Sequence, residues 1–453
     1  MRHVADGSAC YTEVNRDHTF EPPMLHSMTH PVGHSGTGAE GGQPTPAQMS
    51  KLLRVLAFSA FYPPAFLGGG PIRTLEAVMH TSPEDVEVAV MTSDRDLGTA
   101  DRLAVASNRW VTRDGVPVYF ASADKPLQLC RSWWAARAWH PDVIYVNSFF
   151  SPEFSIAVQL LSRLGWWRGA LLVVEPCGQM NPGALGIKSR RKKIYCALYR
   201  RSGMLARVLW HASSDVERAN IREVFDTSDV IVREDETLLP KRPVPPSVPA
   251  NGPLRAVFLA RISRIKGLDI VLRALCSSRQ HVILDVFGPP EDSLYLDECK
   301  AIAALVPASV TVNFLGTVKA SEVMRVLNGH EVMLLPTDGE NFGHAIAEAL
   351  SASCPVMCTP FTPWTDRLQS GGGVVVPSRD VNDWSVALDN YASLPGDVRN
   401  ERRTNAGAAY VRWQAEEKGP HVFKLFPEQL HHPRTRKRTW HFMRHLNKLR
   451  RWK

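Results

Sequence analysis

LRAVFLARISRIKGLDIVLRAL (residues 254–275) decides how this chain folds. The apolar run LRAVFLA has the length of a buried strand and stops at Ala260. Arg261 and Lys266 stand in a short loop, and beyond Gly267 the apolar residues recur at helical spacing. Strand, short loop and helix make the repeating unit of a parallel sheet, whose strands read as continuous apolar runs because both faces are covered. The unit recurs downstream at VILDVFG, VTVNFLG, EVMLLPT and CPVMCTP, and upstream at LLRVLAFSA, VEVAVMTS, VPVYFAS, DVIYVNS and ALLVVEP. Between the two series, residues 233–253 hold six prolines and no periodicity, the composition of an interdomain linker. The expectation is an α/β protein of two domains facing across a cleft, with ligand at the C-terminal ends of the strands. The segments are a disordered extension over 1–48, a first domain over 49–235, a Pro-rich linker over 236–252, a second domain over 253–428 and a basic tail over 429–453.

The chain has 453 residues, 44% hydrophobic and 22% charged, which excludes a disordered, collagenous or coiled-coil protein. Its formal charge is +8. Residues 429–453 hold nine Lys/Arg and no Asp or Glu, so removing those nine from the total leaves residues 1–428 at −1. Charge confined to a tail argues against a nucleic-acid-binding body. No run reaches the length of a membrane-spanning helix, and the N-terminus lacks the pattern of a secretory signal. The eight cysteines are scattered, and the C-x-x-x-C of Cys354 and Cys358 has no further ligands beside it. Free core thiols in a cytoplasmic protein are expected.

Three segments of the second half carry chemistry. Arg261 and Lys266, at a strand end before a helix, suit an anionic phosphate, or are ordinary surface charges. In DGENFGHAIAEALSASCPV, Glu340 precedes a helix opened by Phe342 and Gly343, and Glu348 lies within that apolar helix. A buried carboxylate needs donors, which ribose hydroxyls or an ion pair would supply. Backbone N–H groups from Asn341 to Gly343 could meet phosphate oxygens. In LDVFGPPEDS, the turn at Phe287 and Gly288 allows close approach of a flat ring, or is only a turn.

The order of these motifs, R-x4-K-G, F-G-P, F-L-G, L-P-T-x-x-E-N-F-G-x4-E-A-L, C-P-V and T-P-W, resembles the family 4 glycosyltransferases, with Glu340 and Glu348 as the E-x7-E pair. The resemblance runs from about residue 52 to about 425. It implies a two-Rossmann GT-B fold and retaining transfer from a nucleotide-diphosphate sugar. It also implies that Arg261 and Lys266 hold the donor diphosphate in place of a metal ion, so that no cofactor is required. Glu340 would orient the donor sugar and Glu348 the ribose, Phe342 and Gly343 would offer amides, and His344 lies near enough to the donor to take part or to serve structurally.

In the first half, SAFYPPAFLGGGPIRTL places Gly68, Gly69 and Gly70 between a strand and a helix, resembling the family's glycine-rich loop or serving as an interdomain turn. Many members have a His at the end of the strand read here as DVIYVNS; Asn147 and Ser148 stand there instead, and Asn147 cannot titrate. After a G-x-x-x-P-G-A-L loop (Gly178–Leu185), Lys188–Arg207 contains eight Lys/Arg and no acid, interleaved with Ile194, Leu198, Leu205 and Leu209 at helical spacing. That segment is a solvated face or a membrane-surface helix. The tail, Arg434–Lys453, is an amphipathic anchor for anionic lipid or a disordered end. The expected function is transfer of a sugar to a glycan or polyprenyl-linked acceptor in the cytoplasm, peripherally at a membrane. The alternative is a degenerate GT-B protein that binds sugar nucleotide without turnover.

Overall fold

The computed structural model describes residues 52–186, 189–247 and 252–431. The expected N-terminal extension, Lys188 and residues 432–453 of the expected basic tail lie outside the described residues, whereas 429–431 end the helix Phe426–His431.

The first sheet contains β1 (Leu53–Ser59), β2 (Val86–Ser93), β3 (Trp110–Arg113), β4 (Val116–Ala121), β5 (Val143–Asn147), β6 (Leu171–Glu175), β7 (Val208–Ala212) and β8 (Val230–Val232) in the order β3-β4-β2-β1-β5-β6-β7-β8. Every pairing is parallel except β3 with β4. The second sheet contains β9 (Leu254–Leu259), β10 (Val282–Phe287), β11 (Val310–Gly316), β12 (Val332–Leu335), β13 (Val356–Cys358) and β14 (Gly373–Val375), all parallel, in the order β11-β10-β9-β12-β13-β14. The architecture is α/β with two such sheets, as the alternation of apolar runs and helical stretches requires.

In each sheet the chain starts at the centre, builds outward one way, then returns and builds the other way. The loops after two neighbouring strands therefore diverge and leave a crevice at their C-terminal ends. In the first sheet the crevice lies between β1 and β5, so it receives Gly68–Gly70 and the end of β5 at Asn147 and Ser148. In the second it lies between β9 and β12, so it receives the Arg261–Lys266 loop and the Asp338–Gly343 loop. Helices cover both faces of each sheet. The helix Leu268–Leu275 turns Leu268, Ile270, Val271, Leu272, Ala274 and Leu275 inward, each large side chain contributing about 1.5–3 kcal/mol.

The Pro-rich segment is strapped down. The Pro240 carbonyl accepts from Tyr410 Oη at 2.6 Å, Val244 N donates to the Ser351 carbonyl at 2.8 Å, and Asn328 Nδ2 donates to the Pro245 carbonyl at 2.9 Å. The chain also crosses back. Val422, Phe423 and Phe426, which the sequence reading assigns to the second domain, are buried in the first with Val55, Tyr145 and Val173.

Gly288, at the end of β10, has φ 148°, and a Cβ there would lie 1.8 Å from the Ala260 carbonyl oxygen. The close approach expected at this turn is made by the protein's own backbone. Gly288→Ala must push β9 and β10 apart. It is expected to cost about 2 kcal/mol or more and lower the melting temperature by several degrees in a thermal unfolding scan.

Candidate functional site

The loops after β9 and β12 meet as neighbouring strands dictate. Lys266 Nζ donates to Glu340 Oε1 at 2.6 Å, and both side chains are mostly shielded from water. Arg261 lies on the rim of the same crevice, held at 3.0 Å by Glu291. Glu340 is fixed through its backbone, which donates to the Phe361 carbonyl at 3.1 Å. Gly343 adopts a left-handed φ of 86°, turning the chain into the helix His344–Ser351. Its position is set by Trp364, whose Nε1 donates to the Phe342 carbonyl at 2.5 Å; this explains the T-P-W motif as a brace. The N–H groups of Asn341, Phe342 and Gly343 meet no acceptor among the described residues. They sit at a helix N-terminus, where oriented N–H groups favour an anion.

The first domain docks directly on this helix. Arg73, in the first turn after the triple glycine, pairs through Nη1 with Glu348 Oε1. Glu348 is only 4% exposed. Burial pushes its carboxyl above the usual range, and the Arg73 guanidinium pulls against that. At the next residue, Thr74 Oγ1 donates to Asp235 Oδ2 at 2.8 Å and lies 2.7 Å from His344 Nε2. His344 Nε2 is 3.5 Å from the same Asp235 oxygen. Burial raises Asp235, but the hydrogen bond and charge of His344 outweigh it and leave the carboxyl below its ordinary value. Gly70 packs on His344, where a Cβ would lie 3.4 Å from the ring. His344 thus acts as a bridge between domains.

The loop after β6 closes the other side. An added Cβ at Gly178 would lie 2.9 Å from Asn341 Cβ, and one at Gly339 would lie 2.6 Å from Asn181 Nδ2. This loop is held by Glu217, whose Oε1 accepts from Gly178 N at 2.6 Å and whose Oε2 accepts from Ser213 N at 2.9 Å. Burial pushes the Glu217 carboxyl up to about 7.

Asn147 does not face the cleft. It is 1% exposed, and its amide donates to Glu175 Oε2 at 3.1 Å and to Cys177 Sγ at 3.2 Å. Ser148 is held at φ 113° with a buried Oγ that has no partner, a strained residue at a strand end. Beneath them Glu175 Oε2, Tyr145 Oη and His211 Nδ1 form a chain at 2.6 and 2.8 Å, and His211 Nε2 donates to the Arg233 carbonyl at 2.9 Å. Burial, then the charge of Asp235, drives Glu175 well above the carboxylate range, and burial lowers His211. Tyr145 Oη donates to Glu175 Oε2, and the His211 Nε2 proton goes to the Arg233 carbonyl.

Sequence reasoning missed Arg73, Thr74, Glu175, Glu217 and Asp235. Signals existed for two of them: Ser214 and Glu217 have capping-box spacing, and Glu175 is an acid closing an apolar strand. Among the described residues seven cysteines are free thiols; Cys354 and Cys358 are in the core, whereas Cys130 is exposed. Among the described residues no three His, Cys, Asp or Glu side chains converge to hold a metal ion. A crevice of about 380 Å³ lies behind Phe342, between Glu234, Arg367 and Lys418, and is not lined by Lys266 or Glu340.

Two parallel sheets with their crevices opposed define the GT-B architecture. Anabaena HepE, solved with UDP and glucose, superposes with TM-score 0.61 at 14% identity over 84% of this chain and 99% of its own. Sucrose-phosphate synthase of Thermosynechococcus elongatus gives 0.61 at 16% identity, over 83% and 99%. Residues 245–409, the second domain, match the family model of glycosyl transferases group 1. D-inositol 3-phosphate glycosyltransferase of Mycobacterium sp. (strain KMS) is 28% identical over 138 residues, which are 30% of this chain and 31% of that protein. The match thus spans about a third of that relative's length.

Two outcomes test the geometry. Arg73→Met strands Glu348 without its cation, so the melting temperature falls by the equivalent of about 1–3 kcal/mol, whereas the double variant Arg73→Met/Glu348→Leu recovers most of the loss. Glu217 binds a proton more tightly folded than unfolded, so its contribution to stability is present at low pH and lost as pH rises toward 7. Glu217→Gln mimics the protonated acid. Relative to the parent it gains stability between pH 5 and pH 8 in parallel thermal scans.

Proposed function

We propose that this protein is a retaining glycosyltransferase that moves a sugar from a nucleotide-diphosphate sugar to a glycan or lipid-linked glycan. One observation carries the reading: the Lys266–Glu340 pair lies at the switch point of the second sheet, beside three N–H groups that meet no acceptor among the described residues, in the domain bearing the group 1 family signature.

Lys266 and Arg261 bind the donor diphosphate, helped by the N–H groups of Asn341, Phe342 and Gly343. As the bond from the anomeric carbon to the diphosphate breaks, its electron pair leaves with the nucleotide, and preorganised cations stabilise that charge. They do so without a divalent metal. Lys266 then exchanges its carboxylate partner for phosphate, and Glu340 is released to accept from a sugar hydroxyl. Glu348 exchanges Arg73 for the ribose hydroxyls. The acceptor oxygen takes the place of the departing phosphate on the same face of the sugar. Asn147 cannot take the acceptor proton, which passes to a departing phosphate oxygen.

The acceptor is held at an anionic membrane on the cytoplasmic side. The described part of the basic segment, the helix Ser189–Arg201 with its exposed cations, supports this. Among the described residues no helix is long and apolar enough to cross a membrane.

A second reading, a binder without turnover, is favoured by Asn147, which spends its amide on Glu175 and Cys177. A thermal-shift screen of UDP-, GDP- and ADP-sugars identifies the donor, since a ligand of the folded state raises its apparent stability. With that donor, Lys266→Ala and Glu340→Ala are each expected to lower transfer by about 100-fold or more. Undiminished transfer in both would remove the assignment. A thermal shift without release of nucleoside diphosphate over a broad acceptor panel would select the binder.

A further inference from the structure

We propose that the outer helical layer of the first domain is a docking surface for an anionic lipid bilayer, entered shallowly by Trp134, Leu164 and their apolar neighbours. This extends the reading of a membrane-held acceptor from one basic helix to a whole face of the domain.

The steps from β4 to β5, β6 and β7 all run in one direction across the sheet, so right-handed crossovers place their helices on one face. These helices are Pro126–Ala138, Ala157–Arg163 and Ser189–Arg201, whose inner sides share a single core with β1, β5 and β6. They adjoin one another. Trp134 meets Trp166 edge-on at 4.7 Å, and the Arg137 guanidinium lies over Trp166 at 5.1 Å. A Cβ added at Gly203, just past the third helix, would lie 3.8 Å from Arg163 Nη1.

A helix packed on a core normally turns a polar face to water. These three do not. The outer stripe of the first runs Leu127, Arg131, Trp134 and Arg137, with Trp134 60% exposed. The second exposes Leu160, Arg163 and, at its end, Leu164, the last by 82%. The third exposes Arg190, Ile194, Leu198 and Arg201 in sequence. None of the three helices contains an Asp or Glu.

Two other exposed apolar residues sit among carboxylates. Leu294 shares its helix with Asp297 and Glu298, and Val386 shares its helix with Asp383 and Asp389. Among the described residues, these three helices join exposed apolar side chains to cations with no carboxylate of their own, and the acidic helix Asp215–Phe225, on the same face beyond β7, bounds the patch. Large apolar and aromatic groups flanked by arginine fit the boundary between lipid phosphates and acyl chains. The position also suits the reaction. Asn181, against Gly339 of the second domain, lies a few residues before the basic helix, so a lipid-borne acceptor on this face is carried toward the cleft.

The test is flotation of the full chain with vesicles of phosphatidylglycerol and phosphatidylcholine in equal parts, and with phosphatidylcholine alone. The parent binds the anionic vesicles more tightly. Trp134→Ser/Leu164→Ser and, separately, Arg190→Gln/Arg191→Gln/Lys193→Gln each lower that binding by about tenfold, with the melting temperature unchanged. Parental binding by both variants, with all affinity lost on deleting residues 430–453, would overturn the proposal in favour of the tail. So would a concentration-dependent dimer that Trp134→Ser/Leu164→Ser dissolves, which would make the face an interface between copies. Flotation needs no donor and no transfer. Failure here therefore leaves the nucleotide-sugar reading standing, and failure of that reading leaves the flotation result interpretable.

Discussion

A carboxylate removed from water must be met by donors or by a proton, and this protein buries Glu175, Glu217, Asp235 and Glu348 along the seam between its two sheets. Each answers the demand differently, and each answer positions something. Glu348 takes Arg73 and thereby docks the first-domain helix Gly70–His80 onto the helix that opens at Gly343. Asp235 takes Thr74 and His344, tying the start of the crossover to both domains. Glu217 takes two backbone amides and shapes the loop facing Asn341. Glu175 takes Tyr145 Oη and the Asn147 amide, and Tyr145 reaches on to His211, which ties together the ends of β5, β6 and β7. Apolar packing builds each sheet, but these polar contacts set how the two sheets meet.

Lys266 and Glu340 show the same logic inside the crevice. A partly buried cation and carboxylate at 2.6 Å hold one another in place, so neither must be reoriented when a phosphate and a hydroxyl arrive. What changes is the partner, and pairing in advance keeps the cost of rearrangement low.

Much of the fold was legible because the signals were local. Apolar runs of strand length, Arg261 and Lys266 at a strand end and the spacing of Glu340 and Glu348 all lie within short windows, and the crevice between β9 and β12 follows from strand order. The partners were less legible. Arg73 stands 275 residues before Glu348, and their meeting depends on how two separately folded sheets dock, which no periodicity encodes. Asn147 illustrates the same limit. Its place at the end of β5 could be read, but that its amide turns inward to Glu175 depends on β6. Gly288 could be read as a turn open to a flat ring or as a plain turn, and the close neighbour that demands glycine there, the Ala260 carbonyl, comes from the adjacent strand.

The return of Val422–Leu425 to the first domain means that the two halves are joined twice, once near Asp235 and once near Pro420. The two connections touch, since Arg233 Nε donates to the Pro420 carbonyl at 2.8 Å. A body hung from a single strand can twist and swing freely. One hung from two adjacent strands keeps a single easy motion, a rotation about the line through both. Any movement of one half against the other is thereby confined to that of a door on its hinge, an axis about which Thr74 and Asn181 return to the same opposing residues.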